Sequence, residues 1–160
     1  MQSFHALYQR YAKDVYRFAL ALSGNRALAE DLTSETFLRA MSTTTEIRAD
    51  TVKAYLFTIT RHLHFQQRKK GALMTPFDEN EHSHNPVVDH DLSQQQQTEQ
   101  LLQAIQQLPE HERVVLLLHA YDDMPYEEIA TTLSISVAAA KVRVHRARFR
   151  LSELMKEKSA

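Results

Sequence analysis

Apolar residues recur three or four positions apart along most of the chain, a spacing that specifies α-helices. From the amino end they fall at Phe4, Leu7, Tyr8, Tyr11, Val15, Phe18 and Leu22. Ser3 stands where a cap is needed, and Ser23-Gly24-Asn25 ends the run. Asn25 is placed to cap a second helix reaching about Met41, and the polar, β-branched stretch from Ser42 to Glu46 reads as a loop. A third helix is predicted from Thr51 to Lys70, with Val52, Leu56, Ile59 and Leu63 as its core stripe. It closes on Arg68-Lys69-Lys70 before Gly71, cations that suit the negative end of the helix dipole. Two glycines in 160 residues weigh the same way, because a β-rich chain spends glycine on tight turns.

The pattern resumes with Leu101, Leu102, Ile105 and Leu108. Pro109 then starts a helix from Glu110 to Tyr121, with Glu110 and Glu112 in its positive first turn. Asp122-Asp123 reads as a cap for the next helix rather than an acid/base pair. A short helix Tyr126–Leu133, a turn Ser134-Ile135-Ser136 and a long helix from Val137 to about Glu157 complete the chain.

Between the two patterned regions, residues 71–95 hold Gly71, Pro76 and Pro86 and no sustained period, as a linker does. The expected fold is therefore all-α: a domain over 1–70, a flexible acidic linker over 71–95, and a second small helical domain over 96–160. Charge follows the same division. Residues 1–70 carry 11 Lys/Arg against 6 Asp/Glu, residues 71–95 carry none against 5, and residues 96–160 carry 8 against 9. The net charge of −1 thus hides two basic surfaces and an acidic middle.

The absence of cysteine excludes disulfides, thiolate metal sites and cysteine nucleophiles. His82, His84 and His90 lie in an acidic polar stretch without a rigid cluster, a poor setting for a metal. No glycine-rich phosphate loop or nucleophile motif is present, so neither enzyme activity nor a cofactor is expected. No apolar run approaches the 18 or so residues of a membrane span, and the amino end lacks the pattern of a signal peptide, so a cytoplasmic protein is expected.

The most informative segment is the last. Tyr126–Leu133, the three-residue turn and the helix from Val137 have the anatomy of a helix-turn-helix. At about 100° per residue, Val144, Ala147, Leu151 and Leu154 fall within about 40° of Ala140, which makes a buried stripe. Ala138, Val142 and His145 point the opposite way, flanked by Ala139, Lys141 and Arg146, with Arg143, Arg148 and Arg150 at the sides. Compact residues at a groove floor with cations along the walls suit the DNA major groove.

Read together, the two halves resemble an extracytoplasmic-function (ECF) sigma factor of bacterial RNA polymerase. The resemblance rests on Ala29-Glu30-Asp31-Leu32-Thr33-Ser34-Glu35-Thr36-Phe37-Leu38-Arg39-Ala40 and on Ala54-Tyr55-Leu56-Phe57-Thr58-Ile59-Thr60-Arg61-His62-Leu63. It continues in Leu108-Pro109-Glu110-His111-Glu112-Arg113 and Tyr126-Glu127-Glu128-Ile129-Ala130, and ends in the run from Ser136 to Arg148. Ser34, His62 and Gln66 stand where the family often has Gln, Asn and Asp.

The resemblance implies a polymerase subunit that selects promoters and helps melt the −10 element. Asp31, Ser34, Glu35 and Leu38 share a helix face, and the resemblance implies that this face docks on the β′ clamp helices; the β flap is a second implied polymerase contact. The third helix mixes cations with the rings of Tyr55, Phe57 and Phe65, a pairing suited to single-stranded DNA. Lys53, Phe57, Arg61, His64 and Arg68 are the expected −10 contacts, with the loop Thr43 to Arg48. Ser136, Ala138, Ala139, Lys141, Val142, Arg143, His145, Arg146 and Arg148 are the expected −35 contacts. By the same resemblance the acidic linker threads toward the RNA exit channel, and an anti-sigma factor is an expected partner. The alternative is a helix-turn-helix regulator that acts without being a polymerase subunit. It would need a sensing or receiver domain, for which residues 1–70 are too short and lack a βα alternation.

Overall fold

The computed structural model describes residues 3–42, 52–73 and 92–159. Among them it has seven α-helices and no strand: α1 (Phe4–Ser23), α2 (Arg26–Ser42), α3 (Val52–Leu73), α4 (Leu92–Gln107), α5 (Glu110–Asp122), α6 (Tyr126–Leu133) and α7 (Val137–Ser159). They fall into two compact units, Met1–Ser83 and His84–Ala160. The linker expected over 71–95 is narrowed at both ends, since residues 71–73 continue α3 and residues 92–95 open α4. The stretch 74–91, with its three histidines, lies outside the described residues.

In the first unit α1, α2 and α3 pack against one another in all three pairings. The caps fall where the residue types demand them. Ser3 Oγ accepts the Ala6 N–H at 3.2 Å, and Asn25 Oδ1 accepts the Leu28 N–H at 2.9 Å. Gly24 takes the left-handed conformation at φ 70° that ends α1. Ala19 and Ala29 are small enough to let α1 and α2 approach, and with Leu32 and Leu63 they form a core junction.

Two features go beyond the expected stripes. Because α3 meets both other helices, its buried arc includes Phe57, Thr60 and His64 as well as Val52, Leu56 and Leu63. Phe57 is a core residue, 2% exposed, with its ring stacked on Phe18 at 4.3 Å; burying such a side chain contributes about 1.5–3 kcal/mol. The hydroxyls of buried Thr36 and Thr60 meet at 2.8 Å across the α2–α3 interface. Phe4 and Tyr8, expected in the α1 stripe, are partly exposed and stack on each other and against the edge of buried Phe37.

In the second unit α7 packs against α4, α5 and α6. Leu108, Leu116 and Ala147 form a cluster closed by Leu151 and Leu154. Arg113 is 8% exposed, and its guanidinium donates to three carbonyls at the end of α4: Ile105 at 3.1 Å, Gln106 at 2.9 Å and Leu108 at 3.0 Å. A charged fork thus satisfies acceptors that a helix end leaves orphaned. The expected role of Asp122-Asp123 is corrected. Asp123 ends α5 in the left-handed region at φ 51°, and α6 starts after Pro125 with no side-chain cap. Pro125 has no side-chain oxygen to accept a first-turn N–H, so Glu127 and Glu128 supply the negative charge of that first turn.

Candidate nucleic-acid interface

The turn between α6 and α7 is fixed by backbone bonds. Ser134 adopts the left-handed conformation, and the Ile135 N–H donates to Ala130 at 2.9 Å and the Ser134 N–H to Thr131 at 3.4 Å. Ser136 Oγ then accepts the Ala139 N–H at 3.0 Å and starts α7. Ile129 and Ala130 of α6 are buried, as are Ala140, Val144 and Ala147 of α7.

With that stripe buried, the expected groove face is presented to solvent. Ala138, Lys141, Val142, His145, Arg146 and Arg148 are exposed, as is Ser136, while Ala139 and Arg143 are half-buried. One residue of this face was missed in the sequence reading. Phe149 is 69% exposed and continues the face one turn beyond His145, a placement readable from its spacing of seven from Val142.

Arg150 departs from its expected place at the side of the groove. It donates Nε to Glu112 Oε1 at 2.9 Å and a terminal nitrogen to Oε2 at 3.3 Å. The hydrogen bond to Glu112, helped by the charge of that carboxylate, raises the guanidinium further above its already high ordinary range. Glu112 is 3% exposed, so the pair ties α5 to α7 instead of leaving a cation for phosphate. The sequence shows Glu112 only as a first-turn acid, because nothing local marks a partner 38 residues away.

On α3 the aromatic roles are exchanged. Phe57 and His64, expected at single-stranded DNA, are buried at 2% and 4% exposure because α1 and α2 cover that side of the helix. Phe65 is the exposed ring, with Lys69 Nζ 5.5 Å from its centroid. Arg61 is half-buried and Arg68 exposed, and Lys53 lies half-buried 3.9 Å from Asp14. Counting from Phe65 at about 100° per residue, Arg61, His62, Arg68 and Lys69 share its side of α3. The loop Thr43 to Arg48 lies outside the described residues.

On α2, Asp31, Ser34 and Glu35 are exposed together, with Leu38 58% exposed beside them. Asp31, Ser34 and Glu35 line an open cleft of about 410 Å³ with Arg39 of the same helix and Leu63, Gln66, Gln67 and Lys70 of α3. The cleft therefore mixes carboxylates with cations rather than being purely acidic.

Residues 7–72 match the family model for Sigma-70 region 2, and residues 98–151 match that for Sigma-70, region 4. The chain is 31% identical over 150 residues to the ECF RNA polymerase sigma factor SigM of Bacillus subtilis, covering 92% of each. It is 31% identical over 165 residues to the ECF sigma factor SigE of Mycolicibacterium smegmatis, where it spans 64% of that relative's length. Its fold superposes with a TM-score of 0.74 on the sigma factor RpoE of Bartonella quintana, solved with the anti-sigma factor NepR. That match has 27% identity and covers 93% of this chain and 94% of the other. The chain belongs to the ECF sigma factors of RNA polymerase. No described helix is long and apolar enough to cross a membrane.

Proposed function

We propose that this chain joins core RNA polymerase in the cytoplasm, directs it to promoters and helps open the −10 element, without chemistry of its own. The exposed face of α2 seats the polymerase clamp, with Asp31 and Glu35 steering and Leu38 as the apolar anchor. The basic side of α3 takes the −10 strand. Arg61, Arg68 and Lys69 track phosphate there, and Phe65 replaces the buried Phe57 as the ring on which a base can stack. The groove face of α7 reads the −35 duplex, its cations meeting phosphate and its compact residues admitting base edges.

The observation that carries this reading is the segregation on α7: a stripe buried at Ala140, Val144 and Ala147 on one side, and exposed Lys141, Arg146 and Arg148 on a helix held at a fixed turn to α6. A region 2 match over residues 7–72 supports a polymerase subunit over a free-standing regulator. Because RpoE of Bartonella quintana is solved with NepR, an anti-sigma factor is the further partner we assign here. Reconstitution with core polymerase tests the reading: the holoenzyme should select promoters that core polymerase ignores, and a chain that fails to bind core polymerase would refute it.

A further inference from the structure

Tyr126 opens α6, yet it does more than start a helix. Its ring stacks on His119 of α5 at 4.7 Å and an interplanar angle of 13°. His119 is itself placed by a contact of 3.2 Å between Nδ1 and the Met124 carbonyl, in the connection between α5 and α6. Over the same Tyr126 ring lies Lys141 Nζ, 5.8 Å from the centroid. Lys141 is exposed and stands on the groove face of α7, while Tyr126 and His119 are half-buried.

A lysine ammonium rides on four rotatable carbons, so an unrestrained Lys at this position sweeps across several base edges and phosphates. An aromatic face within about 6 Å attracts the ammonium through the ring quadrupole and narrows that sweep. The ring can do this only if it is fixed, and the stack on His119 fixes it. We infer that Tyr126 is a positioning residue for Lys141: its ring holds the ammonium on the α6 side of the groove face and so decides which −35 base pair Lys141 reads. The inference rests on the −35 reading of α7 given above.

The holoenzyme tests it on a promoter library randomised through the −35 duplex, with Lys141→Ala, Tyr126→Leu, Tyr126→Phe and the double variant Tyr126→Leu/Lys141→Ala. Lys141→Ala should flatten the preference at one or two base pairs by about tenfold. Tyr126→Leu should flatten it several-fold at those same base pairs, Tyr126→Phe should retain it, and the double variant should equal Lys141→Ala alone. Tyr126→Leu also removes the His119 stack and can cost folding, so fluorinated phenylalanines at position 126 form a second series. They keep the shape while each fluorine weakens the ring face, and the preference should decline stepwise. A flat fluorine series, or a uniform loss over all promoters with Tyr126→Leu, overturns the positioning role while Lys141→Ala still changes base preference. An unchanged base preference with Lys141→Ala overturns the inference alone, whereas a holoenzyme with no −35 preference at all refutes the −35 reading on which it rests.

Discussion

Glu112 of α5 is buried beneath Arg150 of α7, which grips both of its carboxylate oxygens at 2.9 and 3.3 Å. His111 lies 3.9 Å from the same carboxylate. The pair crosses the interface that orients the groove-facing helix, so its loss should be felt in both stability and DNA binding. Arg150 is exposed and Glu112 buried, so removing Arg150 leaves a buried carboxylate uncompensated, whereas replacing both with apolar residues can be neutral. Arg150→Leu should lower the melting temperature of the chain, and Glu112→Leu/Arg150→Leu should recover most of the loss. Since the guanidinium is shifted upward, its charge-dependent contribution is complete below the ordinary arginine range and fades only above it. The deficit of Arg150→Leu should therefore be equal at neutral and mildly alkaline pH in thermal melts.

Arg113 tests the capping of α4. Its removal orphans the carbonyls of Ile105, Gln106 and Leu108 at a buried helix end. Hydrogen bonds from a charged donor contribute about 1.5–3 kcal/mol each when they are not shared, so Arg113→Ala should cost about 2–4 kcal/mol in denaturant unfolding. Arg113→Lys should recover only part of it, because a single ammonium cannot reproduce the planar fork.

Phe57 and Phe65 separate core from surface on one helix. Phe57→Ala should cost about 3–5 kcal/mol by emptying the stack on Phe18. Phe65→Ala should change stability by no more than about 0.5 kcal/mol. It should nevertheless reduce open-complex formation, read by permanganate footprinting of the −10 region. The opposite ranking would put Phe57 at the DNA.

The α2 face is tested by reversing its charge. Asp31 and Glu35 are exposed, so Asp31→Arg/Glu35→Arg should leave the circular dichroism spectrum and melting curve unchanged. The same variant should lose core polymerase in a pull-down, and retained binding would remove that face from the docking surface.

Wall and floor of the α7 groove face should give two phenotypes. Arg143→Ala and Arg148→Ala should weaken all promoters together and lower the salt slope by about one. Lys141→Ala and Arg146→Ala should instead relax particular −35 positions by about 1–3 kcal/mol. Uniform loss for all four variants would reject the division.

Much of this was legible in the sequence where the information is local. Caps at Ser3, Asn25 and Ser136, the glycine end of α1 and the α6–α7 turn depend on residues within four positions of one another. The buried stripe of α7 followed from a single period because α7 turns one side to its neighbours. The mix of rings and cations and the resemblance place Phe57 and His64 at the DNA, yet α3 is covered on two sides, and a helix with a wide buried arc has no single stripe to read. Arg150 was misplaced for another reason: its partner is 38 residues distant, and helical angle alone cannot tell a phosphate-facing cation from one bonded to a buried acid. Tyr126 and Lys141 likewise meet only through the turn that joins their helices.

The central claim is that one chain both joins core polymerase and selects promoters. Transcription in vitro with purified core polymerase over a fragmented genomic library, with and without the chain, measures this directly. The account predicts new transcripts from a limited set of start sites sharing upstream −35 and −10 elements, all lost with Asp31→Arg/Glu35→Arg. Transcripts unchanged by the chain, together with DNA binding by the chain alone at a palindromic site, would contradict it.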